Sequence, residues 1–224
     1  MSRVHAKAQQ RAAFFDMDKT LVPVNTGIRY ARWRVGRGEM KRTELLRILG
    51  WSLQYTFGLV DAQAVSTFAA RTMSGIDEES FREECRTWVT ADVIPLLTEK
   101  ARREVELKRR EGYVLAILSG SSPYAIEPLA KELGIEHILC SRLTVAHGRF
   151  TGAVEPPLAF AEGKVTLAKA WAEDHHVSLQ KSVFYSDSIS DIPMLEIVGE
   201  PRIINPDPRL KRIAKKRSWP IERW

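Results

Sequence analysis

Asp16 and Asp18 stand two positions apart at the end of the apolar run Ala12-Ala13-Phe14-Phe15, and Thr20 follows them at the same spacing. Carboxylates this close repel each other, and without compensation one is driven toward its protonated form. A divalent cation would offset the repulsion. One carboxylate could then stay ionised while the other cycles between acid and base forms, a division of labour suited to nucleophilic attack followed by hydrolysis. Ser119 with Gly120, and Asp187 with Asp191 close by, end two further apolar runs. A carboxylate cluster without His or Cys suits a hard, oxygen-seeking ion such as Mg2+.

These groups need elements that bring them together. "AAFF" is too short for a helix and reads as a buried strand that presents Asp16 at its C-terminal end. The same character returns at residues 113–120, 182–187 and 201–205, separated by helical patterns such as "PYAIEPLAKELG" and "KVTLAKAWAEDH". Strands alternating with helices indicate an α/β fold, a Rossmann-like parallel sheet. Ligands of such sheets bind beyond the carboxyl ends of the strands, where three of the predicted strands carry the polar residues above.

About 90 residues separate the first two strands, and they read as helix broken by turns near Gly36-Arg37-Gly38, Gly58 and Gly75. That is too long for one crossover. Residues 23–91 are therefore expected to form an inserted all-helical cap, with residues 1–22 and 92–224 as the catalytic core. "EKARREVELKRREG" supplies the crossover helix, stopped at Gly112. Alternation of β-branched residues around His147-Gly148 predicts a hairpin appended to the sheet.

At 224 residues with 44% hydrophobic content, the chain can bury a substantial core. Cys85 and Cys140 lie outside any metal-binding or redox spacing, which fits a reducing compartment and a cytoplasmic location. No export signal is evident, and no apolar stretch reaches the roughly 20 residues of a transmembrane helix. The net charge of +6 is concentrated at residues 29–42 and 209–217. These stretches read as solvated helix faces, and no nucleic-acid partner is expected.

Four motifs in order resemble the haloacid dehalogenase (HAD) superfamily, subfamily IB, its phosphoserine-phosphatase-like branch: "DMDKT", "ILSGSS", "EGKVT" and "YSDSISD". The resemblance implies a Mg2+-dependent phosphomonoester phosphatase that works through an aspartyl-phosphate intermediate. By it, Asp16 is the nucleophile and Asp18 the acid and base. Asp16, the Asp18 carbonyl and Asp187 hold the metal, Thr20, Ser119, Gly120 and Lys164 grip the phosphoryl oxygens, and Asp191 orients Lys164 or a metal-bound water. Two departures stand out. Asn25 occupies the neighbourhood where several phosphoserine phosphatases carry an acidic residue, and Lys19 replaces the Gly or Ser of many relatives.

A nucleotide P-loop is excluded around Gly163-Lys164, because Leu158 stands in place of the leading Gly and Val165 in place of Ser or Thr. A phosphorylated receiver domain needs neither a leaving-group acid at Asp18 nor about 70 residues of cap. A catalytically dead scaffold would not keep every acidic, hydroxyl and lysine position, whereas a phosphotransferase would share all of them. The substrate is expected to be a small-molecule or lipid phosphate ester. Leu45, Leu46, Ile48, Leu49, Trp51, Leu53, Tyr55, Phe57 and Leu59 follow a basic stretch and read as the core of the cap bundle. The competing reading is a surface for an apolar ester at a peripheral membrane contact.

Overall fold

The computed structural model describes residues 9–56 and 62–224. At its centre is a parallel sheet of six strands in the order β3-β2-β1-β6-β7-β8. These are β1 (Ala12–Phe15), β2 (Val114–Ser119), β3 (His137–Cys140), β6 (Val183–Ser186), β7 (Glu200–Ile204) and β8 (Ile221–Glu222). β1 lies between β2 and β6, pairing Phe15 with Ile117 on one side and with Tyr185 on the other. Its four residues are all fully buried. Ala13 and Phe15 enter one core cluster and Ala12 and Phe14 the other, so the period-2 alternation places apolar groups on both faces.

Helices cover both faces. α5 (Glu99–Arg110) and α6 (Pro123–Leu133) bury Val105, Ile126 and Leu129 on the Phe15 side. α7 (Glu162–Asp174), α8 (Ile192–Ile197) and α9 (Pro208–Lys216) bury Ala168, Met194 and Leu210 on the Phe14 side. Local signals set their ends. The Thr98 hydroxyl accepts from the Ala101 N–H to cap α5, and Lys108, Arg109 and Arg110 in its last turn complement the helix dipole. Gly134 stops α6 in a left-handed conformation at φ 61°. The basic residues at 209–217 lie mostly on α9, whose Leu210 and Ala214 are buried, as expected of an amphipathic helix with a solvated face.

Between β1 and α5 the chain forms α1 (Thr26–Gly36), α2 (Arg42–Thr56), α3 (Ala62–Thr72) and α4 (Glu78–Trp88). A π-helical turn at Val89–Val93 and a 3-10 turn at Ile94–Leu96 lead back to α5. The predicted turns at Gly38 and Gly75 are present, with φ 74° and 81°. Those at Gly58, together with Phe57 and Leu59, lie outside the described residues.

Three expectations change. The sheet gains β3 and β8, a short edge pair that apolar runs did not mark. The hairpin exists as β4 (Arg142–Ala146) and β5 (Arg149–Glu155), but it forms its own two-stranded sheet. It pairs instead with the turn before α4: Gly75 N–H donates to the Phe150 carbonyl at 2.8 Å and Phe150 N–H to the Ile76 carbonyl at 3.0 Å. Finally, α2 is no bundle core among its described side chains. Leu45, Ile48, Leu49 and Trp51 are only half-buried, and Leu46 is 67% exposed. Cys85 and Cys140 are buried and free, and among the described residues no helix is long and apolar enough to cross a membrane.

Candidate active site

Asp16 follows β1 directly, its N–H donating to the Tyr185 carbonyl at 2.9 Å, which ties the residue to the end of β6. Lys164, in the first turn of α7, reaches across to it. The Lys164 Nζ donates to Asp16 Oδ1 at 2.8 Å and to Asp191 Oδ2 at 2.7 Å, and all three residues are buried. Burial disfavours the ammonium, but the two carboxylates outweigh it and hold Lys164 above its ordinary pKa. The turn that delivers Lys164 requires a glycine before it. A Cβ on Gly163 would stand 1.8 Å from the Leu158 carbonyl oxygen, a backbone atom that cannot swing aside.

Asp18 is oriented differently. Its Oδ1 accepts from the Thr26 hydroxyl at 2.6 Å and from the Thr26 N–H at 3.1 Å, at the start of α1. Burial pushes the Asp18 carboxyl up, while the bonds from Thr26 pull it back. Thr26 Oγ1 also lies 3.3 Å from Ser121 Oγ, so the first residue of α1 links the loop that carries Asp18 to the segment after β2. Thr26 was not read from sequence. The signal was its place beside Asn25, which caps α1 by accepting from the Ile28 N–H at 2.9 Å.

Ser119 ends β2 and is buried, and its Oγ accepts from the Ser121 N–H at 3.4 Å. Gly120, next in the chain, is exposed. Thr20 is buried, and its hydroxyl oxygen has no hydrogen-bond partner within the protein. Asp187 follows β6, buried, with Lys19 Nζ at 4.0 Å. Asp191 accepts at the same Oδ2 from Ser186 Oγ at 2.6 Å. Ser186 is a second residue that sequence reading missed, because it looks like one more residue of a strand. The Asp191 carboxylate caps no helix and turns to Lys164.

The electrostatics leave this crevice short of positive charge. Asp16, Asp18, Asp187 and Asp191 face one buried ammonium, with Lys19 half-exposed at the rim. Burial pushes both Asp16 and Asp187 well above the ordinary carboxylate range, and each raises the other or is raised by a further aspartate. Among the described residues no three His, Cys, Asp or Glu side chains form a ready metal cage. The donors on hand are carboxylate oxygens without His or Cys, a set that fits a hard cation keeping several waters. Beside the crevice, Val24, Asn25, Ile28, Arg29, Arg32, Trp33 and Asp92 line a pocket of about 460 Å³.

A haloacid dehalogenase-like hydrolase family model matches residues 13–196, four-fifths of the chain and every residue of the site just described. The chain belongs to the haloacid dehalogenase-like hydrolase family. It is 28% identical over 214 residues to a histidinol-phosphatase of Neisseria meningitidis serogroup C, covering 93% of this chain and 96% of the relative. A solved structure of a protein with unknown function from Bordetella pertussis Tohama I superposes with a TM-score of 0.84 at 29% identity, covering 96% of this chain and 98% of that one. A phosphoserine phosphatase solved as a phospho-aspartyl intermediate analogue superposes at 0.68 with 22% identity over 91% of this chain and 90% of that one, a likeness of fold. The family, the α/β fold and the enzyme class expected from the four motifs are borne out. This HAD hydrolase is phosphoserine-phosphatase-like in fold.

Proposed function

We propose that the protein hydrolyses phosphate monoesters through an aspartyl phosphate on Asp16, with Mg2+ bound. The observation that carries this reading is the buried chain Asp16, Lys164, Asp191 at the ends of β1 and β6, with Asp18 held apart from it by Thr26. Lys164 occupies Oδ1 of Asp16 and leaves the second oxygen to attack phosphorus. The ester P–O bond breaks as the new one forms, and Asp18 gives its proton to the departing alcohol. The Asp18 carboxylate then takes a proton from water as that water attacks phosphorus, which frees Asp16 and inorganic phosphate. Thr20, Ser119, the Gly120 amide and Lys164 stabilise charge on the phosphoryl oxygens. Asp191 and Ser186 orient Lys164. When bound by Asp16, Asp187 and the Asp18 carbonyl, Mg2+ supplies charge neutralisation for the carboxylates and the transferring group.

In this reading residues 23–91 act as a cap, and residues 1–22 with 92–224 form the core. Thr26 supports it, because the first residue of α1 already touches a residue of the nucleophile loop. Buried free cysteines favour a cytoplasmic location. The ester is an anionic or partly apolar one. Arg29 and Arg32 line the pocket beside Asn25, and the half-exposed apolar residues of α2 favour contact with an apolar ester or a lipid surface. With the Asn25 side chain engaged as a helix cap and no acid in its place, phosphoserine is not strongly preferred.

One experiment tests both halves. Wild type and Asp16→Asn are assayed with Mg2+ and with EDTA on p-nitrophenyl phosphate, phosphoserine, histidinol phosphate and a lysophosphatidic acid. Turnover that survives Asp16→Asn refutes the covalent route. A kcat/KM for phosphoserine more than roughly a hundredfold above every other ester, about 2.7 kcal/mol of preference, refutes the substrate reading.

A further inference from the structure

The turn after β7 touches both loops that carry the chemistry. Asn205 follows β7 with its backbone in the left-handed region, φ 45°, a conformation that Asn tolerates better than most residues. Its Nδ2 donates to the Lys19 carbonyl at 2.9 Å, and its Oδ1 accepts from the Trp224 N–H at 3.1 Å. Its own N–H donates to the Glu222 carbonyl at 3.0 Å, so the carboxamide is anchored to β8 while it holds Lys19. Two residues on, Asp207 N–H donates to the Asp187 carbonyl at 2.9 Å, and Asp207 Oδ2 accepts from the Ile189 N–H at 2.6 Å. Asn205-Pro206-Asp207 thus grips the nucleophile loop at one end and the acidic loop at the other.

The grip falls on a strained point. Lys19 is itself left-handed, φ 53°, a conformation that costs a lysine more than it costs Gly or Asn. It stays there because both its peptide groups are engaged. Its N–H donates to the Val24 carbonyl at 3.1 Å, and its C=O is taken by Asn205. Relaxing Lys19 would rotate the peptide groups on either side of it, which connect Asp18 to Thr20. Asp16, held by Lys164 and the Tyr185 carbonyl, would not follow.

We propose that Asn205 is a positioning residue for the reaction: through Lys19 it sets where Asp18 and Thr20 stand relative to Asp16, without touching the substrate. The effect on turnover rests on the phosphatase reading; the effect on the loop does not. Asn205→Gly keeps the left-handed backbone and removes the carboxamide. Asn205→Asp keeps the shape and the acceptor for Trp224 but sets an acceptor against the Lys19 carbonyl.

Amide hydrogen exchange across the full chain and steady-state kinetics on p-nitrophenyl phosphate with Mg2+ are the two readouts. Both variants should exchange residues 17–22 roughly tenfold faster while β1, β2 and β6 keep wild-type protection. Their kcat should fall roughly ten- to a hundredfold with KM within about threefold, the signature of misplaced catalytic groups. Unchanged exchange at residues 17–22 overturns the clamp, and faster exchange with unchanged kcat overturns the positioning role. Acceleration spread over the central strands would mean a general loss of stability and also overturns it. A wild type that hydrolyses no ester would sink the phosphatase reading alone, since exchange still decides whether Asn205 holds the loop.

Discussion

Replacing Lys164 by Met removes the ammonium and keeps most of the side-chain volume, so it isolates the charge at the centre of the site. Nζ lies 2.8 Å from Asp16 and 2.7 Å from Asp191, and the side chain is 4% exposed, so water screens neither contact. At an effective dielectric constant of about 20, each contact amounts to about 6 kcal/mol before the cost of burying the charges is subtracted. That cost takes back much of the sum. Removing one partner of a buried pair and stranding the rest costs about 3–5 kcal/mol, and we expect a loss in this range at pH 7.5.

The pH dependence of that loss separates charge from packing. Without Lys164, Asp16 loses the cation that lowers its pKa, while burial and Asp191 still raise it. A carboxylate whose folded pKa is raised takes up a proton on folding, so its contribution is favourable at low pH and is lost as pH rises through the folded value. Wild-type Asp16 already holds its proton below about 7, so the destabilisation of Lys164→Met should be nearly flat below that pH and should grow as pH rises above it, by up to about 1.4 kcal/mol per pH unit while Asp16 of the variant stays protonated. Urea denaturation of wild type and variant in EDTA at several pH values measures it. A loss below about 1 kcal/mol at pH 7.5, or one independent of pH, would refute this account of the site's energetics.

Asp18→Asn should slow alkyl phosphates by roughly a hundredfold or more and p-nitrophenyl phosphate much less, since only a poor leaving group needs the proton; equal losses on both argue against the acid role. Gly163→Ala should cost about 1–3 kcal/mol and lower turnover, because the added Cβ must displace the Leu158 carbonyl and with it the turn carrying Lys164. Gly120→Ala, with 3.4 Å to the Ala159 carbonyl, should leave stability nearly unchanged, and the two melting curves decide. In metal-free protein, Asp16 and Asp187 are raised to about 7 and about 8, so stability should fall as pH rises from about 4 to about 8. Mg2+ favours the ionised carboxylates, so its thermal stabilisation should grow across that window; a shift that does not vary with pH would count against metal binding there.

The parts of the fold that could be read were those where burial leaves a one-dimensional trace. β1, β2, β6 and β7 pack helices on both sides, so their residues had to be apolar in succession. β3 carries His137 in four residues at the sheet's edge and β8 has two residues, too little for any period to emerge. The hairpin was legible as a hairpin because alternation and a turn are local. Its partner was not, because the bonds joining Phe150 to Gly75 and Ile76 span more than seventy positions. α2 marks the limit of apolar content as a guide. Leu46 and Trp51 predict burial equally well, and only the arrangement of neighbours decides that the first is exposed.

For the site, spacing revealed the problem and tertiary contact supplies its resolution. Asp16 and Asp18 were suspicious because they are adjacent, but what distinguishes them comes from far along the chain or from another element. Asp16 is hydrogen-bonded to an ammonium 148 positions away, and Asp18 to the neutral hydroxyl and amide of Thr26. Two like carboxylates thereby sit in unlike surroundings, which suits the separate roles proposed for them: Lys164 fixes one oxygen of Asp16 and leaves the other to attack, while Thr26 holds Asp18 apart as acid and base. Asn205 was silent for a related reason. Its chemistry is spent on a main-chain carbonyl, and no side-chain motif records a bond of that kind.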